Sequence, residues 1–318
     1  MQKRDLVGAP FRLMERFKPF AVTEPSAWLK PTWRAASSIL LPQSPAVPTL
    51  GRIGPLEVRL AGTRKEIQRA QKLRYKVFYR DGNAIADAAT MLARRDKDAF
   101  DKICDHLLVI DHSAMHPIKA GLRRKPPVVG TYRLLSQDAA EQHGGFYTEN
   151  EFDIAGLIER HRDLRFLELG RSCVLPRYRN KRTVELLWHG VWSYVRQNKF
   201  DVMIGCASLE GTDPGRLAPP LSFLHHFARA PENWRASALA HSKVDMNRMA
   251  KDAIDPKTAL RELPPLIKGY LRLGAFVGDG AVIDHQFGTT DILIILPVSS
   301  ISTRYIDHFG ADATRHAA

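Results

Sequence analysis

Between Arg165 and Ala207 the chain sets a carboxylate and a cluster of cations close together, in a pattern suited to holding a phosphate-bearing substrate. Glu168 stands in Phe166-Leu-Glu-Leu-Gly-Arg-Ser-Cys-Val174, an alternation of apolar and polar residues that predicts a strand. Arg177, Arg179, Lys181 and Arg182 crowd the loop after it. Thr183 then opens a helix to about Gln197, in which Val184, Leu187, Trp188, Val191, Trp192 and Val195 repeat at the spacing of a buried stripe. Asp201-Val-Met-Ile-Gly-Cys-Ala207 follows as a short apolar strand. A strand feeding a helix whose N-terminus offers free backbone N–H groups beside cations is a cradle for an anion. The phosphate of an acyl-thioester carrier fits it, and so does that of a nucleotide.

The rest of the chain must position these groups. With 318 residues and 44% hydrophobic content it can bury a sizeable core. Its three cysteines, Cys104, Cys173 and Cys206, have no CxxC spacing and cannot all pair, which points to a reducing compartment. The basic start, Met1-Gln-Lys-Arg-Asp-Leu6, is not followed by the apolar run of a signal peptide. No run approaches the roughly 20 apolar residues that span a bilayer. We therefore expect a cytoplasmic protein, possible contact with the inner face of the bacterial membrane being peripheral. A net charge of +13 calls for an anionic partner. Zinc-finger spacing and aromatic RNA-binding signatures are missing, which argues against nucleic acid. His106, His112 and His116 have no recognised metal spacing.

Residues 1–52 read as a separate tail, broken by prolines and interleaving Lys and Arg with Phe and Trp, a composition able to rest on an anionic bilayer. The folded part, 53–318, opens with a strand over Leu56–Ala61 and a helix from Thr63 to Tyr79, started by a Thr63-x-x-Glu66 capping box. Asp81 to Arg95 is a polar, weakly patterned excursion of the kind that forms lids. Further strands are expected over His106–Asp111 and Pro127–Leu135, with Arg133 projecting away from the apolar set. A short helix is expected over Phe152–Arg160, and closing strands over Ala275–Ile283 and Asp291–Leu296.

Leu73-Arg-Tyr-Lys-Val-Phe78, Phe100-Asp-Lys-Ile-Cys-Asp105, Gly130-Thr-Tyr-Arg-Leu-Leu135, Glu168-Leu-Gly-Arg-Ser-Cys173 and Leu263-Pro-Pro-Leu-Ile-Lys-Gly-Tyr270 carry a resemblance in their order and spacing. Together they resemble the ornithine-lipid-synthesis L-ornithine N(alpha)-acyltransferase family. That hemolysin-like branch of the GCN5-related N-acetyltransferase (GNAT) superfamily is itself similar to N-acyl-homoserine-lactone synthases. The resemblance implies an α/β fold: a mixed, centrally splayed β-sheet with helices on both faces. It implies transfer of a (3-hydroxy) fatty acyl group from acyl carrier protein to the α-amine of L-ornithine, with no cofactor beyond the donor's phosphopantetheine thioester and no metal. An acyl-homoserine-lactone or other N-acyl-amino-acid synthase, or a non-catalytic lipid-binding protein, stands as the alternative.

The same resemblance assigns roles. Arg74 and Phe78 would close over the active site, and Asp101 and Asp105 would face the cationic acceptor. Arg133 would lie near Glu168 and Arg171, where a guanidinium fork suits an α-carboxylate. Because an α-ammonium is no nucleophile until it loses a proton, Glu168 is the candidate base, paired with Arg171. Arg177, Arg179, Lys181, Arg182 and Thr183 would hold the donor's phosphate and the acidic carrier. Arg182 stands where the superfamily's loop has its first Gly, which favours the single phosphate of phosphopantetheine over a coenzyme A pyrophosphate.

Overall fold

The computed structural model describes residues 47–114 and 125–302; the first 46 residues of the stretch read as a tail, and His116, lie outside the described residues. The strands are β1 (Thr49–Ile53), β2 (Leu56–Leu60), β3 (Asp105–Asp111), β4 (Val128–Ser136), β5 (Phe152–Asp153) and β6 (Phe166–Val174). They continue with β7 (Val202–Glu210), β8 (Ser237–Ala238), β9 (Lys243–Val244), β10 (Phe276–Asp284) and β11 (Thr289–Pro297). The sheet runs β1-β2-β3-β4-β6-β7-β11-β10-β8-β5, with β9 pairing β10. β1 falls at the end of the stretch read as tail, so the fold begins a few residues earlier than the sequence suggests. β11 lies between β7 and β10, as its unbroken apolar run requires.

The helices are α1 (Arg64–Tyr75), α2 (Ala88–Ala93), α3 (Gln137–Gln142), α4 (Ala155–Arg160), α5 (Lys181–Asn198), α6 (Ala218–Phe227), α7 (Pro256–Glu262) and α8 (Pro265–Arg272). None of the described helices is long and apolar enough to cross a membrane. Thr63 caps α1 by accepting from the Glu66 amide at 3.3 Å. The Glu66 carboxylate turns instead to Arg59 and the Gly62 amide, so only half of the expected capping box forms. The helix then loosens into a π-turn over Lys76–Arg80, which brings Phe78 to the cleft.

Period-2 alternation in β3 and β4 sorts side chains to the two faces. Leu107 and Tyr132 pair across these strands and point toward α5 and α8. There Gly190 lets α5 close on β2, since a Cβ would sit 2.6 Å from Val58 Cγ2, and Tyr270 of α8 meets the ring of Trp188 edge-on at 5.2 Å. His106 and Arg133, the next pair along, point the opposite way, toward Asp101 and Asp98. α1 packs on that second face through Arg74. Helices therefore cover both faces, as the resemblance implies.

The sheet parts at its centre. β6 and β7 are parallel neighbours only over Phe166–Glu168 and Val202–Ile204. Beyond that point β7 stays with β11 as far as the Glu210–Thr289 pair, while β6 stays with β4 as far as the Val174–Gly130 pair. Between Gly170 and Cys173 the bulged β6 spends one residue more than β4, and Arg171 takes φ +50°. At the fork, Gly205 lies so near the β6 backbone that a Cβ would come within 2.3 Å of the Leu169 carbonyl oxygen. Gly205→Ala is expected to lower stability by about 1–3 kcal/mol, read from urea denaturation midpoints; an unchanged midpoint would show that the fork tolerates a side chain.

Candidate active site

A cleft of about 930 Å³ passes through this fork and is lined from both faces of the sheet. On the face of α5 and α8 its walls are mainly apolar, with Tyr132, Leu169, Leu187, Trp188, Met203 and Leu266, and Lys181, Glu185 and Arg272 add charge to them. On the other face they are polar: Arg133, Tyr147, Glu168, Arg171, Asp284 and Asp291. One opening thus joins a greasy arm to a charged one.

Glu168 is the last residue of β6 that pairs with β7, and it is only 4% exposed. Its Oε2 accepts from the Tyr147 amide at 2.8 Å, and its Oε1 accepts from the amide and hydroxyl of Thr148 at 3.0 and 2.9 Å. Those donors open the short 3-10 turn Tyr147–Asn150. A carboxylate offers about four acceptor positions, so one remains for a substrate. Burial pushes the Glu168 carboxyl above the usual range, against the opposing pull of Thr148 and Arg133.

The arginines of the polar arm are held by acids that the sequence reading passed over. Arg133 meets Asp98 at 2.6 Å and lies against the rings of Phe100 and Tyr147. Arg171, aimed by the bulge, reaches Asp96 at 3.5 Å and Asp98 at 3.4 Å. Its guanidinium is sandwiched between Tyr147 and Phe287, each 4.8 Å away. Asp98 thus bridges Arg133 and Arg171. Burial pushes Asp98 up, but Arg133, with Arg171 and Arg74 behind it, outweighs this and holds the carboxyl below its ordinary range.

Other expected site residues fall elsewhere. Arg74 is fully buried, bonded to Asp96 at 2.7 Å and Asp101 at 2.8 Å, and it braces the acids rather than presenting a cation to the cleft. Phe78 does line the cleft, edge-on to Phe287. Asp101 and Asp105 do not act as a pair: Asp101 takes Arg74 and Gln71, while Asp105 accepts from Tyr194 of α5 across the sheet. In the basic loop, Asn180 caps α5 by accepting from the Thr183 amide at 3.1 Å. Arg179 and Lys181 reach the cleft wall, whereas Arg177 stacks on Tyr178 and Arg182 is exposed away from it. The Thr183 hydroxyl turns back to Asn180, and Val184, expected in the buried stripe, is 45% exposed at the cleft mouth.

A third group of acids escaped the sequence reading. Glu151, Asp284 and Asp291 bring one carboxylate oxygen each within 4.8 Å of one another, Asp284 and Asp291 lining the polar arm and Glu151 meeting them from outside the lining. Burial, then Asp291, pushes the Glu151 carboxyl up to about 7.

The forked mixed sheet, with a through-going cleft and a basic helix start at its rim, defines an acyltransferase of the GNAT class. An Acetyltransferase (GNAT) domain matches residues 73–189. The chain is 53% identical over 266 residues to the L-ornithine N(alpha)-acyltransferase of Brucella abortus (strain 2308), covering 84% of this chain and 92% of that one. Identity to the L-ornithine N(alpha)-acyltransferase of Agrobacterium fabrum is 52% over 265 residues, 83% and 88% of the two chains. An N-acyl amino acid synthase from uncultured soil microbes superposes at a TM-score of 0.43 with 9% identity, over 77% of this chain and 91% of that one. The chain belongs to the L-ornithine N(alpha)-acyltransferase family.

Two stability measurements follow. Arg74→Ala removes the nearest cation from both buried acids, Asp96 and Asp101, and is expected to cost about 3–5 kcal/mol in urea denaturation; a cost under about 1 kcal/mol would show the acids to be solvated. Because Glu151 binds its proton more tightly folded than unfolded, stability is lost as pH rises from about 4.5 to about 7. Glu151→Gln is expected to shrink the loss between those pH values by about 1–3 kcal/mol, whereas an unchanged pH slope would place Glu151 in water.

Proposed function

We propose that this chain transfers a fatty acyl group from the phosphopantetheine thioester of an acyl carrier protein to the α-amine of L-ornithine, forming lyso-ornithine lipid. The observation that carries the reading is the cleft passing through the sheet at the fork, with Glu168 at the junction of an apolar and a polar arm. The apolar arm, walled by Trp188, Leu266 and Leu273, suits an alkyl chain. The edge of β6 beyond Glu168, unpaired on the β7 side, offers backbone groups to an extended pantetheine and to the oxyanion. Arg179 and Lys181 at the start of α5 suit the phosphate and an acidic carrier.

In this reading Arg133 and Arg171 receive the acceptor's α-carboxylate. Glu168 takes a proton from the α-ammonium, directly or through water. The freed amine attacks the thioester carbon, a C–N bond forms, the C–S bond breaks, and the pantetheine sulfur leaves as the thiol once protonated. The raised proton affinity of Glu168 makes it a stronger base than a solvated carboxylate. The family name of the relatives supports ornithine as the acceptor; Glu168 beside Arg133 and Arg171 suits an amino acid.

Incubating the purified chain with a 3-hydroxyacyl carrier thioester and ornithine is expected to give N(alpha)-acyl-ornithine by mass spectrometry; free fatty acid alone, or acylated homoserine lactone, would contradict the reading. Glu168→Gln is expected to lower kcat by about 10²-fold or more with the circular-dichroism spectrum unchanged, and near-normal turnover would remove it as the base. Arg179→Ala with Lys181→Ala is expected to raise KM for the carrier thioester and flatten its salt dependence while leaving KM for ornithine in place. An equal rise in both KM values would place the two cations outside the donor site.

A further inference from the structure

The three acids grouped at the polar arm have no task in the chemistry above. Glu151 closes the turn whose amides hold Glu168, Asp284 ends β10, and Asp291 lies on β11 opposite Ser208. Asp284 is held by the amides of Gln286 and Phe287, and Asp291 accepts from Thr289 at 2.9 Å. Glu151 is 9% exposed, and its Oε2 is buried without a hydrogen-bond partner. Among the described residues no Arg or Lys forms an ion pair with any of the three. Arg171, whose charge reaches Glu151 and Asp291, spends its ion pairs on Asp96 and Asp98. Three carboxylates this close, one with an unsatisfied oxygen, are destabilising as they stand and would be relieved by a cation.

We propose that Glu151, Asp284 and Asp291 form the receptacle for the side-chain ammonium of the acceptor, so that the cleft selects diamino acids over neutral ones. The inference rests on the amino-acid acylation proposed above and deepens it. An ammonium is a compact charge with three N–H donors, matching one oxygen from each acid. The placement also fits. Glu168 pairs with Ile204 on β7, and Cys206, which contacts Thr148 and lies against Glu151, is two residues further along the same strand. Ser208, opposite Asp291, lies two residues further still, so the acids are set off from Glu168 along the same face of β7, as the second amine of an extended diamino acid is set off from its first. With Arg133 and Arg171 on the α-carboxylate, the polar arm then meets every charge of such an acceptor.

The test compares L-ornithine with L-norvaline, which has the same carbon skeleton and no terminal ammonium. Calorimetric titration of the full chain, and kcat/KM for acylation, are measured for both, in the wild type and in Glu151→Gln, Asp284→Asn and Asp291→Asn. The wild type is expected to favour ornithine by on the order of 100-fold, and each variant to lose at least about tenfold of that preference, mainly through KM and binding. Equal wild-type affinity for the two amino acids would overturn the proposal without reference to any variant. Variants that keep the full preference would also overturn it, as would Mg²⁺ or Mn²⁺ titrating into the three acids and displacing ornithine. If no acceptor is acylated but ornithine binding still depends on the triad, the acyl-transfer reading fails and the receptacle stands.

Discussion

The constraint on which the rest depends is the early end of the β6–β7 ladder. After Glu168 and Ile204 each strand keeps a partner on one side only, β4 or β11. Backbone N–H and C=O groups in a sheet interior are costly to leave without partners, so a parting at the centre of a sheet is stable only where something else pairs with it. The bulge at Arg171 and the close approach of Gly205 to Leu169 hold the fork in place. Because alternate residues face opposite sides, a hole between two central strands is automatically lined by both faces. One geometric event therefore yields both an apolar and a charged arm, with Glu168 at their junction.

The charged arm is expensive, and its cost is met by mutual pairing. Arg74, Arg133 and Arg171 share Asp96, Asp98 and Asp101, most of them nearly out of solvent. Such a lattice contributes little net stability, since desolvation opposes the attraction of the charges. What it supplies is fixed geometry. Arg74 acts from behind, its partner acids steering the two arginines that do reach the cleft, and the rings of Tyr147 and Phe287 lock the Arg171 guanidinium in plane. A site held this way pays its ordering cost on folding instead of on substrate binding.

The fold was largely legible because its long elements carry strong local signals. β6, α5 and β11 announce themselves by alternation, by a stripe of Leu187, Val191, Trp192 and Val195, and by a continuous apolar run. β5, β8 and β9, each of two residues, are too short for any periodicity to show. Glu168 is conspicuous in the sequence, being a carboxylate on an apolar central strand. Its partners are not, since Tyr147 and Thr148 act mainly through backbone amides, to which sequence is blind. The basic loop turns its residues different ways: Lys181 and Arg182 are successive helix residues about 100° apart, and Arg177, in the 3-10 turn before the helix, stacks on Tyr178, so of the four cations only Arg179 and Lys181 reach the cleft. Asp101 and Asp105 sit near each other in sequence, yet Asp105 opens a strand and points to the other face. Glu151, Asp284 and Asp291 carry no shared local signal, being brought together only by the pairing of β10 with β11 and the turn beneath Glu168.

Amide hydrogen exchange at Leu169 to Ser172, with and without a non-hydrolysable acyl-pantetheine amide, tests most directly whether the fork receives the donor. Protection is expected to rise at these β6 amides on binding, with Trp188 fluorescence shifting at the same ligand concentration. Unchanged exchange on β6, with new protection confined to residues outside the cleft, would contradict a donor lodged between β6 and β7.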